Sequence, residues 1–140
     1  MTATVSAHTM LDAYVDALTT GQTFEQFFTD DVTIEMMGTS LAAHGRDDVA
    51  AFIRWGHQVA FASTIEFGAT LVDPDGRQAA MELVFRGTHM AEFAGIPATG
   101  RDVQVRYSVH YDLTDDGISA LRVYGLAQGL VDALTAAAPA

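Results

Sequence analysis

The sequence has no cysteine, no lysine and no asparagine, and only three prolines in 140 residues. Without cysteine there is no disulfide framework, thiol nucleophile, cysteine-type zinc site or iron–sulfur cluster. Without lysine, Schiff-base catalysis and Walker-type phosphate binding are closed. Positive charge is scarce as well. The seven basic side chains are all arginine, against eighteen acidic ones, for a net charge of −11 with histidine neutral. A field of that sign repels phosphates, which argues against a nucleic-acid partner. No apolar run approaches the roughly 20 residues a membrane helix needs, so no membrane partner is expected either. The opening stretch, MTATVSAHTM, carries no basic segment ahead of an apolar core. No signal peptide is therefore expected, and the expected setting is the cytoplasm. What is present is a composition 49% apolar, enough for one sizeable core, so residues 1–140 read as one domain.

Helical spacing comes first in the chain. Met10, Leu11, Tyr14, Val15 and Leu18 recur at intervals of a helical face, and Gly21 ends that segment. Phe24, Phe27 and Phe28 suggest a short second helix, and Val32 to Met36 a short strand. Arg46-Asp47-Asp48 opens a third helix with acids at its positive end, and Val49, Phe52, Ile53, Gly56 and Ala60 form its inner stripe. Beyond residue 62 the period becomes that of strands. Asp73-Pro74-Asp75-Gly76 and Asp115-Asp116-Gly117 are turn signals between them. The clearest alternation sets Val103, Val105, Tyr107, Val109, Tyr111 and Leu113 against Gln104, Arg106, Ser108, His110 and Asp112. A last strand runs from Ile118 to Leu126, and the tail from Ala127 adds a helix that frays over residues 136–140. Helices followed by a run of antiparallel strands predict an α+β fold, a curved sheet wrapped on helices as a cone around an apolar pocket.

Two stretches carry a resemblance. The run Gly87-Thr88-His89-Met90-Ala91-Glu92-Phe93-Ala94-Gly95-Ile96-Pro97-Ala98-Thr99-Gly100-Arg101 resembles the signature of SnoaL-like polyketide cyclases, in the nuclear-transport-factor-2-like superfamily. Met90-Ala91 stands where the signature has Thr-Gly, and Ala98 where it has Pro. Tyr14 to Leu18, Phe28 to Val32, Gly45 to Val49 and Ile118 to Tyr124 resemble the ketosteroid isomerase branch of the same superfamily. The resemblance implies a cone-shaped α+β barrel and a cofactor-independent cyclase or isomerase. It would act on a polyketide or similar apolar natural product, through enolate stabilisation, with no resident metal. It also implies a homodimer through the sheet, and the row Val103, Val105, Tyr107 and Val109 suits that contact if it is not core. The isomerase's general-base Asp has no counterpart here, because Glu35 is followed by Met36.

The candidate residues follow from both readings. Counting back from Asp116-Gly117, the slot of the family's catalytic Asp holds His110, and the resemblance turns that row toward the pocket. A neutral imidazole there would exchange a proton near neutral pH, with Asp112 on the same strand face to orient it. By its residues alone, an alternating polar row reads as a solvated strand face. Tyr14, on the core stripe of the first helix, would donate to a carbonyl that becomes an enolate, or pack as a core tyrosine. His57 borders the inner stripe of the third helix as a second acid or base, or as a rim histidine. Met36, Trp55 and Met81 are expected to line the cavity, and His89 to line its mouth or fix its loop. Two other readings stay open: a different ring closure, by epoxide opening, pyran formation or a pericyclic route, and a non-enzymatic small-molecule binding protein.

Overall fold

A computed structural model describes residues 3–136. The frayed end expected over 136–140 lies, from residue 137 on, outside the described residues. Helix α1, Ala3–Thr20, buries Leu11, Tyr14 and Ala17 along one stripe. It ends where Gly21 turns to φ 72° and Gln22 donates its N–H back to the Ala17 carbonyl, a left-handed cap that a side chain would strain. A single 3-10 turn, Glu25–Phe27, leads into strand β1, Phe28–Met36, followed by the short β2, Ala42–His44. Helix α2, Arg46–Arg54, continues into a π turn over Trp55–Ala60. Strands β3, Phe61–Val72, β4, Gln78–His89, β5, Asp102–Thr114, and β6, Gly117–Tyr124, follow, and helix α3, Leu126–Thr135, closes the described chain.

The six strands form one sheet in the order β2-β1-β6-β5-β4-β3. The α+β class is as the sequence predicts. The short second helix expected at Phe24, Phe27 and Phe28 is only the 3-10 turn, β1 begins at Phe28 instead of Val32, and β2 is an additional strand. Two features of the sheet differ as well. The sheet is mixed, because β1 pairs with β6 in parallel, and it is open, with β2 and β3 at its edges. Hairpin partners are joined by local turns that can be read along the chain. The β1–β6 pair joins segments from opposite ends of it, and nothing local announces its direction.

One face of the sheet carries the core. On β5 the buried residues are Val103, Val105, Tyr107, Val109, Tyr111 and Leu113. Across the β4–β5 ladder they meet Ala79, Met81, Leu83 and Phe85, since directly opposed residues share a face. The row Gln104, Arg106, Ser108, His110 and Asp112 faces outward. The orientation taken from the resemblance is therefore reversed: His110 and Asp112 stand on the outer face. The reason is the cost of desolvation, because inverting the strand would bury Arg106 and Asp112 and expose six apolar residues. The same finding removes Val103, Val105, Tyr107 and Val109 from any dimer contact, since they belong to the core.

Candidate functional site

The three helices and the inner face of the sheet enclose an apolar cavity with about 90 Å³ of water-accessible volume. Each wall comes from a different element. Helix α1 supplies Tyr14 and Leu18, β1 supplies Ile34 and Met36, and α2 supplies Phe52 and Ile53. The π turn supplies Trp55, Gly56 and His57 in succession. A π turn carries an extra residue, which rotates the following side chains relative to a regular helix and so brings consecutive residues to one wall. The central strands contribute Leu83 and Phe85, then Tyr107, Val109 and Tyr111, then Leu121 and Val123.

Among the described residues the polar groups of this lining are few: three phenols, one imidazole and one indole, with no carboxylate and no arginine. Tyr14 is the hub of an aromatic cluster, at 5.7 Å from Phe28 and 6.3 Å from Tyr111 between ring centroids. Burial pushes the Tyr14 phenol well above the usual tyrosine range, with a smaller contribution from neighbouring Tyr107. Burial raises Tyr107 likewise, and it raises Tyr111 together with the nearby Tyr14 and Tyr107 phenols. All three hydroxyls therefore stay protonated and able to donate across the accessible pH range. His57 moves in the opposite chemical sense. Burial pushes its pKa down to about 4, so the imidazole is neutral at pH 7. Its Nδ1 lies 2.6 Å from the Ser63 Oγ, and its ring tilts over Phe85 at 5.4 Å.

The structure brings together four of the residues singled out from sequence: Tyr14, His57, Met36 and Trp55. Met81 is buried on the same face as Leu83 but packs beside the cavity without lining it. His89 is completely buried outside the lining. There it clamps the signature loop, accepting the Thr99 backbone N–H on Nδ1 at 3.1 Å and packing on Phe61. His110 lies outside, with its ring edge-on to the exposed Tyr124 at 4.9 Å. Asp112 is engaged there too, in paired contacts of 2.9 Å to Arg122 that hold its carboxyl below the usual range. The four candidates His57, His89, His110 and Asp112 are thus split between the core and the outer face. Tyr107 and Tyr111 were missed as site residues. The available signal was two phenols four residues apart in the apolar row of a strand, on the face where a cavity would form.

The signature loop reaches the cavity through Phe93. Phe93 and Ile96 exchange backbone hydrogen bonds of 3.0 and 2.8 Å across a tight turn whose central residues, Ala94 and Gly95, have φ of 50° and 79°. That turn drops the Phe93 ring onto Trp55, stacked at 6.0 Å, and onto Phe61 at 5.4 Å.

Comparisons with known proteins agree with this architecture. A proposed polyketide cyclase of Xanthomonas campestris superposes with a TM-score of 0.79 at 18% identity, covering 95% of this chain and 99% of its own. SalBIII, an epoxide hydrolase/cyclase-like enzyme of pyran ring formation in the polyether salinomycin, gives 0.67 at 22% identity, with 86% and 90% covered. A Mycobacterium tuberculosis protein in complex with estradiol-17β-hemisuccinate gives 0.60 at 24% identity, with 89% and 94% covered. No curated protein matches the chain. The family model of SnoaL-like polyketide cyclases matches residues 8–125, so the chain belongs to that family.

Proposed function

We propose that this protein is a ring-forming enzyme for an apolar, oxygen-bearing natural-product intermediate of the polyketide kind, and that it works by hydrogen-bond donation inside the cavity. The observation that carries this reading is the lining itself: three protonated phenols and a neutral imidazole, without a carboxylate. Removing a proton from carbon calls for a base whose pKa lies near the working pH. An imidazole held near 4 is a weak base, and no carboxylate lines the wall to help it. Donors aimed at an oxygen suit a different task. They polarise a carbonyl or an epoxide so that a hydroxyl elsewhere in the same molecule attacks it. The new C–O bond forms as the carbonyl π bond or the epoxide C–O bond breaks, a phenol donates its proton to the oxyanion that develops, and the proton of the attacking hydroxyl returns to that phenol. Tyr14 is the leading donor, held from α1 against the rings of Phe28 on β1 and Tyr111 on β5. Apolar walls fold the substrate so that its reacting atoms lie close together. The ring-closure alternative is thereby favoured over enolate formation by His110, and SalBIII supplies a precedent for such chemistry in a protein of this fold.

The test is mass spectrometry of the host's metabolites with the gene deleted, then restored as wild type, Tyr14→Phe or His110→Ala. An accumulated precursor isobaric with the lost product is expected. Tyr14→Phe keeps the ring packing but removes the donor, and should lower product formation by about 10²-fold. His110→Ala should restore it in full. Restoration by Tyr14→Phe at the wild-type level would overturn the role of the phenol, and loss with His110→Ala would return the chemistry to the outer face. No metabolic change at all would favour a binding protein, a reading supported by the neighbour that holds a steroid.

A further inference from the structure

His57 borders two spaces. It lines the cavity, and it also borders a shallow outer groove between the π turn, β3 and β4 that contains Ser63, Thr64 and Thr88. Ser63 lies on the same face of β3 as the cavity-lining Phe61, Ile65 and Phe67, and it borders the groove as well. Its position is set by the sheet: Ser63 pairs with Gly87 on β4, where an added Cβ would stand 2.7 Å from the Ser63 Cβ and 2.9 Å from the Ala62 carbonyl oxygen. The bare glycine lets the two strands close up, and the serine is held against the histidine.

The Ser63 hydroxyl has one proton and two acceptors near it, both on His57. Nδ1 is at 2.6 Å, and the backbone carbonyl oxygen is at 3.5 Å. The first is a short, strong contact and the second is at the margin of a hydrogen bond. A hydroxyl that donates to Nδ1 leaves the single proton of a neutral imidazole on Nε2. The opposite arrangement would have Nδ1–H donate to Oγ and leave the serine proton with only the distant carbonyl on the protein. Among the described residues the side-chain hydrogen bonds at His57 engage only its Nδ1 and its backbone carbonyl, and Nε2 has no protein partner, so its proton is free for a ligand.

We propose that Ser63 is a positioning residue that donates to Nδ1 and holds His57 as its Nε2–H tautomer, so that His57 offers the substrate a hydrogen-bond donor and not a base. The inference rests on the cavity being the reaction site. It joins His57 to the phenols as a fourth donor and fixes the kind of atom the cavity accepts there, which is a substrate oxygen with a free lone pair.

The experiment is long-range proton–nitrogen NMR of substrate-free protein carrying nitrogen-labelled histidine, with His57 assigned by its loss in His57→Gln. The wild-type spectrum at pH 7 should show a pyridine-type Nδ1 and a pyrrole-type Nε2. Ser63→Ala should reduce that tautomer preference by about tenfold, and Ser63→Thr should restore it. A wild-type signal dominated by Nδ1–H, or a preference unchanged in Ser63→Ala, would overturn the proposal. The wild-type spectrum alone is decisive if a variant fails to fold. Since no substrate enters the measurement, the tautomer can be refuted while Tyr14→Phe still lowers product formation, and the reverse.

Discussion

Burial sets the acidity of each polar group in the cavity, and His57 is where this has a measurable cost. Its pKa in the fold is about 4, below the usual histidine value of about 6.5 in an unfolded chain. Between those values the unfolded state binds the extra proton and the folded state does not. Stability at this site is therefore complete above about pH 6.5, and it falls as the pH drops toward 4. The melting temperature should rise between pH 4.5 and 7 in wild type, and His57→Gln should flatten that rise. An identical pH profile in the variant would mean that His57 is not held neutral by the fold. Tyr14 and His57 were legible because each lies on or beside a helical stripe, and a stripe says which way it points. His110 was misread because two-residue alternation separates the faces of a strand without saying which one is inside. The composition of the rows decides that, and charge at Arg106 and Asp112 outweighs the chemistry that His110 could have supplied.

Elements place these side chains through close backbone approaches more than through any local motif. The π turn after α2 is the main case. The helical pattern predicted a continuous helix from Arg46 to Ala60, whereas the extra residue in the turn brings Trp55, Gly56 and His57 to the cavity in succession. Nothing in the composition of that segment signals a π turn, because it reflects how α2 must meet the start of β3. The turns of the β3–β4 and β5–β6 hairpins fall where the Asp-Gly signals put them, because such signals are local, while the far end of β6 lies two residues from the expected one. The parallel β1–β6 pair was not, since it forms between the ends of the chain. Two glycines test how much the approach of strands matters. Gly87→Ala forces a Cβ into the backbone of β3 at Ala62 and Ser63, so that the paired strands must shift to admit it. Overpacking of that kind costs about 1–3 kcal/mol, a fall in melting temperature of about 4–12 °C. Gly56→Ala meets open space and should leave stability unchanged or slightly higher. Equal melting temperatures for the two variants would show that β3 and β4 are not in rigid contact at this point.

For the molecule as a whole, the balance is between a cavity without ionic groups and a strongly acidic exterior. The net charge is −11, and among the described residues the cavity wall includes no arginine to offset it. An anion entering would be repelled on approach and left unpaired on arrival, and burying an unpaired charge costs several kcal/mol. The empty space is also narrow, about 90 Å³ against roughly 300–1,000 Å³ for pockets that enclose drug-sized ligands. A polycyclic ligand must therefore displace side chains, and the lining includes the flexible Met36 for that purpose. Two probes of one shape separate charge from size: 2-naphthol, neutral at pH 7, and naphthalene-2-sulfonate. Trp55 is the sole tryptophan of the chain and lines the cavity, so its indole N–H gives a single NMR signal that reports entry. The neutral phenol should shift that signal and raise the melting temperature as its concentration grows. The sulfonate should bind at least about 10²-fold more weakly, because no group in the wall can pair with it. If both probes shift the signal with equal affinity, the cavity does not select by charge, and the account of its substrate as a neutral, oxygen-bearing molecule fails.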